Sequence, residues 1–337
     1  MAISAAIYGS SGPILTPAER AFFRETRPFG FILFARNIVD PQQVRALCAE
    51  MRAAAGHEAP ILIDQEGGRV QRLRPPHWPA HPPGRAYANP ALTRAQQCEA
   101  ARLGARLIAH ELREVGIDVD CLPCLDIPVP GAHDVIGDRA YGEDAQSVID
   151  LGREAAHGLI EGGVLPVIKH VPGHGRAGVD SHLALPVVET AHETLAATDF
   201  LPFKALRAMP MAMTAHVVYT ALDPDDCATL SRRVIADIIR DEIGFEGLLM
   251  SDDVGMQALA GDFATRARGL FAAGCDLALH CSGAMNEMQA IAAETPVLAG
   301  RSLDRAEAAL AMRKAPQPGF DPVDARAKRD ALLAVRG

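Results

Sequence analysis

The chain has 337 residues, 49% of them hydrophobic and 22% charged, and a net charge of −9. Such a composition excludes disorder as the main state, and the interspersed acids and bases leave no electrostatic footprint for nucleic acid or an anionic membrane. No apolar run reaches the ~18 residues of a membrane helix, and the opening MAISAAIYGSSGPILTP has no basic region ahead of its apolar residues, so a cytoplasmic protein is expected.

The length alone fits either two average domains or one α/β barrel. Short apolar runs recur at residues 2–9, 30–37, 60–66, 118–127, 164–170, 211–219, 247–253 and 276–282. Between them, residues 41–55, 91–115, 145–161, 191–207, 231–242 and 265–273 carry apolar residues at helical spacing. Glycines at 116, 162–163, 244 and 274 follow four of these helices, where a C-cap would pass the chain to the next strand. Eight strands alternating with helices predict an α/β fold, a single (β/α)8 TIM-type barrel, over an open doubly wound sheet. One domain is expected over 1–337, with closing helices packed on it from about residue 285 onward. The Pro-rich stretch 75–83 (PPHWPAHPP), which holds the sole Trp, reads as an irregular surface loop.

Seven cysteines scattered along the chain fit free thiols in a reducing compartment. Cys121 and Cys124 form a CxxC, but with no second pair and a Pro between them they read as structural thiols.

Several apolar runs change to charge at their C-terminal end, where barrel enzymes build their active sites. Asp64 opens Asp64-Gln65-Glu66-Gly67-Gly68-Arg69, and Arg72 follows; acids, glycines and arginines in this order suit vicinal hydroxyls held close to the backbone. A phosphate loop is the competing reading, but both GxGxxG and the P-loop lysine are missing. Arg139 sits in the loop after the fourth run. Lys169 ends the fifth run and is the first of only four lysines, the other 29 basic residues being Arg. Its ammonium would be costly to desolvate there unless hydrogen-bonded, for example to ligand oxygens.

The densest constellation is Lys169-His170-Val171-Pro172-Gly173-His174-Gly175, followed by Asp180-Ser181-His182. A carboxylate two residues from a histidine can orient the ring and leave its other nitrogen free for proton transfer. A surface Asp-x-His without a role is the plain alternative. A metal centre from His170, His174 and His182 is a third reading; no HExxH spacing supports it, and the glycines suit a mobile loop better than a cage, so neither metal nor other cofactor is expected. In Ser251-Asp252-Asp253 two adjacent acids point in different directions, so one faces the axis at most and the other is free to cap the next helix. A carboxylate at that place can be a nucleophile, a metal ligand or a cap.

Taken together, DQEGGRVQRLR, VIGDRAYG, KHVPGHG with DSH, MTAHVVY and SDDVGM resemble, in order and spacing, the bacterial β-N-acetylhexosaminidases of glycoside hydrolase family 3 over residues 1–315. The resemblance implies a one-domain retaining exo-enzyme with Asp252 as nucleophile and His182 as acid/base, oriented by Asp180. It implies sugar binding by Asp64, Arg72, Arg139, Lys169 and His170, with a terminal N-acetylglucosamine as the ligand. It further implies release of that sugar from muropeptide fragments during cell-wall recycling, a small carbohydrate as the only partner, and a monomer. A histidine acid/base departs from the usual carboxylate pair, and an imidazole with a pKa near 6.5 can donate and accept near neutrality without a large shift. Val171 stands where the family usually has Phe, and Val254-Gly255 where it has Leu-Ser. The rival readings are a phosphorylase or transglycosylase on the same site, a β-glucosidase, and a non-catalytic sugar-binding barrel.

Overall fold

The computed structural model describes residues 2–181 and 184–335. Eight parallel strands close into a barrel: β1 (Ser4–Tyr8), β2 (Pro28–Leu33), β3 (Ile61–Ile63), β4 (Val119–Asp120), β5 (Leu165–Val171), β6 (Met211–Thr214), β7 (Leu248–Asp253) and β8 (Leu277–His280). Each strand pairs with its neighbours in sequence, and β8 returns to β1 with His280 opposite Tyr8. All eight expected strands are present, and closure settles the choice between barrel and open sheet.

The strands are shorter than the apolar runs that announced them. β4 contributes only two residues to the ladder, because Leu122 bonds back to Asp120 and Pro123 has no N–H to give. The rest of that run, Cys121–Ile127, keeps only an isolated bridge from Cys124 to Lys169 of β5 and stays buried over the rim.

Alternation along the strands sorts side chains between two compartments. Leu165, Val167, Met211, Met213, Leu248, Met250, Leu277 and Leu279 fill the barrel interior. Ile168, Ala212, Leu249 and Ala278 pack outward against the helices.

Most helices fall where the periodicity put them, Pro41–Ala55 and Ala145–Glu161 to the residue. Gly244 and Gly274 follow theirs with φ of +75° and +113°, the left-handed backbone of a C-cap. Residues 191–207 are not one helix but two, His192–Ala197 and Leu201–Ala205. In an unbroken helix the Pro202 ring would clash with the carbonyl four residues back. Helix Pro17–Thr26 was not anticipated, although its capping box is legible: Thr16 Oγ1 accepts from Glu19 N and Glu19 Oε2 accepts from Thr16 N. The Pro-rich stretch is also less superficial than expected, since Trp78 and His81 are buried.

The N-terminal mouth of the barrel is sealed by helix Gly300–Ala311, whose Ala306 and Ala309 join the interior cluster. Asp276, ahead of β8, fastens it: Oδ1 accepts from Ser302 and Arg305, and Oδ2 from Arg240 and Leu249 N. The opposite mouth is left for the site.

Candidate active site

Strand parity decides which side chains reach the open mouth. The inward series Leu248, Met250 continues to Asp252, Leu165 and Val167 to Lys169, Leu62 to Asp64, and Ile32 to Phe34. All four end residues line one pocket enclosing about 230 Å³, together with Arg72, Arg139, His170, His174, Ser181, Asp253 and Met256. The barrel thus supplies an apolar floor, from Ile32, Met213 and Leu279, and a charged rim.

The rim is built around Lys169. Its ammonium lies 2.8 Å from Asp64 Oδ1 and 2.6 Å from Glu66 Oε1. Asp64 also binds Arg72 Nη2 at 2.9 Å, and Glu66 accepts both faces of the Arg139 fork at 2.8 and 2.9 Å. Burial alone would raise the Glu66 carboxyl, but Arg139 and Lys169 outweigh it and bring its pKa down to about 2. The same contest, won by Lys169 and Arg72, holds Asp64 well below the ordinary carboxylate range. Burial would strip the proton from Lys169, yet Asp64 and Glu66 keep it charged. The ammonium therefore already has protein partners, where the sequence had suggested ligand oxygens. Glu66 escaped the sequence reading although it lies two residues from Asp64.

A second carboxylate organises the turn after β5. Asp126 Oδ2 is 2.7 Å from His170 Nδ1, and its Oδ1 accepts the backbone N–H of His170 at 3.2 Å and of His174 at 2.6 Å. The Cys124 thiol donates to Oδ2 at 3.2 Å. Cys124, Asp126 and His170 have the types and closeness of a metal-ligand set, but the carboxylate's hydrogen bonds account for the cluster without an ion. Asp126 was not singled out from sequence; an acid inside the apolar run CLPCLDIPV was its only signal. His174 Nε2 in turn reaches Ser181 Oγ at 3.1 Å. Burial and the neighbouring His170 lower the His174 pKa to about 4.

The two acids that end β7 take different surroundings. Asp253 Oδ1 accepts from Gly255 N at 2.9 Å and Cys281 N at 3.1 Å, so it caps a turn where a helix cap was expected. Its own N–H donates to Asp252 Oδ1 at 2.8 Å. Behind them His216 donates from Nε2 to the Asp253 carbonyl at 3.0 Å, because a carbonyl can only accept, and its Nδ1 meets Thr229 Oγ1 at 2.7 Å. Both acids line the pocket, where one had been expected to turn away.

Residues 19–309 match the glycosyl hydrolase family 3 N terminal domain. The chain belongs to this family. Among curated relatives, the β-hexosaminidase of Alkalilimnicola ehrlichii is 39% identical over 290 residues, spanning 84% of this chain and 82% of that one. The β-hexosaminidase of Methylococcus capsulatus is 38% identical over 327 residues, with 96% and 93% covered. Among solved structures, native NagZ from Neisseria gonorrhoeae aligns with a TM-score of 0.88 at 30% identity, covering 99% of both chains. The same protein in complex with N-trifluoroacetyl-D-glucosamine aligns with a TM-score of 0.87 at 29% identity, covering 99% of this chain and 98% of that one.

This family 3 glycosyl hydrolase brings six of the eight sequence-selected residues, Asp64, Arg72, Arg139, Lys169, His170 and Asp252, to one pocket. Asp180 is half-buried one residue before Ser181, which reaches the pocket wall. His182 lies outside the described residues. No helix among the described residues is long and apolar enough to cross a membrane.

Proposed function

We propose that this protein is a retaining exo-β-N-acetylhexosaminidase that removes a terminal non-reducing N-acetylglucosamine from peptidoglycan fragments in the cytoplasm, acting as a monomer without a cofactor. The supporting observation is that Asp252 shares its pocket with the carboxylate and cation rim of Asp64, Lys169, Arg72 and Arg139. The relatives named β-hexosaminidase, and the neighbour solved with an N-acylated glucosamine, point to the same sugar.

In this reading, the rim residues and His170 hold the sugar hydroxyls while the glycosidic bond lies over Asp252. The Asp252 carboxylate attacks the anomeric carbon as the bond to the leaving oxygen breaks, and His182, oriented by Asp180, protonates that oxygen. Water then attacks the glycosyl ester, its proton passing to His182, and Asp252 leaves as a carboxylate with β-configured sugar released.

The deciding experiment uses a muropeptide disaccharide with a terminal β-N-acetylglucosamine, followed by NMR as it is consumed, with and without phosphate. Initial release of β-N-acetylglucosamine in both conditions is expected. The α-anomer would exclude retention, and sugar 1-phosphate as main product would exclude hydrolysis.

A further inference from the structure

We propose that Asp126 is a positioning residue that fixes His170 in the tautomer with its proton on Nδ1, so that Nε2 meets a bound sugar as a hydrogen-bond acceptor. This rests on the reading of the pocket as a sugar site. Asp126 is fully buried in the loop after β4 and does not itself line the pocket. All four of its partners are donors or can be: two backbone N–H groups, the Cys124 thiol and His170 Nδ1 at 2.7 Å. Burial opposes the ionised carboxyl, whereas the hydrogen bonds from the His170 ring and the His174 backbone N–H favour it. An ionised carboxylate offers only acceptor sites, so Nδ1 must carry a proton. A neutral imidazole has a single N–H, and the lone pair is therefore on Nε2.

That lone pair has a use. His170 lines the pocket, and no described residue bonds its Nε2. Among its neighbours Lys169, Arg72 and Arg139 are donors only, while the oxygens of Asp64 and Glu66 are engaged by those cations. A sugar hydroxyl both accepts and donates. It can take a proton donor from the cationic rim, but it then needs an acceptor, and Nε2 of His170 is placed to supply one. With the opposite tautomer His170 would present a donor, and the hydroxyl proton would be left to the carboxylates alone.

The test begins with the whole wild-type protein carrying 15N-labelled histidine, with His170 assigned by comparison with His170→Gln. Long-range 15N–1H spectra at neutral pH should show Nδ1 protonated and Nε2 bare. The Nε2–H tautomer, or a doubly protonated ring, overturns the proposal. Asp126→Asn then keeps an oxygen for the two backbone N–H groups and sets an NH2 against Nδ1. The ring must accept there and carry its proton on Nε2. The tautomer should invert while thermal unfolding stays close to wild type. The inhibition constant of N-acetylglucosamine and KM should both rise about 10- to 100-fold, with a smaller fall in kcat. An inverted tautomer with unchanged binding also overturns the proposal. Should Asp126→Asn fail to fold, the wild-type spectrum decides the tautomer without it. A wild type that binds no N-acetylglucosamine contradicts the sugar reading of the pocket, whereas the spectrum of His170 tests the action of Asp126 without any sugar present.

Discussion

The Lys169 ammonium lies 2.6 Å from Glu66 Oε1, and both side chains are almost completely enclosed. Two cations, Lys169 and Arg139, converge on this one carboxylate. Removing one partner of a buried pair costs more than the pair contributes, since the other charge is left without compensation. Glu66→Gln should destabilise the fold by about 2–3 kcal/mol, read as a lower urea midpoint, the amide oxygen retaining one hydrogen bond. It should also raise KM, because Lys169 and Arg139 lose their common anchor. A midpoint equal to wild type would show that the cations do not depend on Glu66.

The buried His174 links the fold to pH. Its pKa, about 4 in the fold, lies below the ordinary value near 6.5 that it regains on unfolding. Between these values the unfolded chain takes up a proton that the native ring refuses, so stability is full above about pH 6.5 and declines as pH falls toward 4. This group alone should remove about 2 kcal/mol between about pH 7 and pH 5. Urea unfolding at several pH values checks this, and the decline should be shallower in His174→Gln. An equally steep decline in that variant would assign the effect to other groups.

At the far mouth of the barrel a buried carboxylate fastens the sealing helix. Asp276 is 2% exposed at its side chain and neutralises both Arg240 and Arg305. Asp276→Ala should cost about 3–5 kcal/mol and loosen the helix that seals the barrel. Because this face is remote from Asp252, kcat of the remaining folded protein should match wild type within about twofold. Thermal unfolding and the kinetics of an active-site-titrated sample separate the two effects.

How much of this was legible in the sequence depended on the distance over which each signal acts. Parallel strands buried on both faces read as unbroken apolar runs, so all eight were visible, and Asp64, Lys169 and Asp252 stood out as the charges that end them. Strand parity then carried these three to one place. Partnerships across the barrel were not visible: Lys169 meets Asp64 from 105 residues away, and nothing local announces that a lysine will find carboxylates there. Glu66 was obscured by the more prominent Asp64 beside it, and Asp126 by the apolar run around it. The break at Thr198–Phe200 was missed because helical periodicity continued through Pro202. Both the missed helix start at Thr16 and the broken helix turn on backbone hydrogen bonds, to which a count of apolar spacing is blind.

The roles assigned to Asp252 and His182 differ in what they do to the leaving group, and this separates them experimentally. Without the nucleophile no glycosyl ester can form, whatever leaves, so Asp252→Ala should lower kcat on every aryl N-acetyl-β-glucosaminide on the order of 10⁴-fold. The acid is needed only in proportion to the basicity of the departing oxygen. His182→Ala should slow poor leaving groups by about 10²–10⁴-fold and leave release of a dinitrophenolate much less affected. In the variant a logarithmic plot of kcat/KM against leaving-group pKa should therefore fall steeply where the wild type is nearly flat. Asp180→Asn should lie between the two, since the ring remains but its orienting charge is gone. A flat plot for His182→Ala would move the proton to another group, and wild-type turnover by Asp252→Ala would remove the ester from the mechanism altogether.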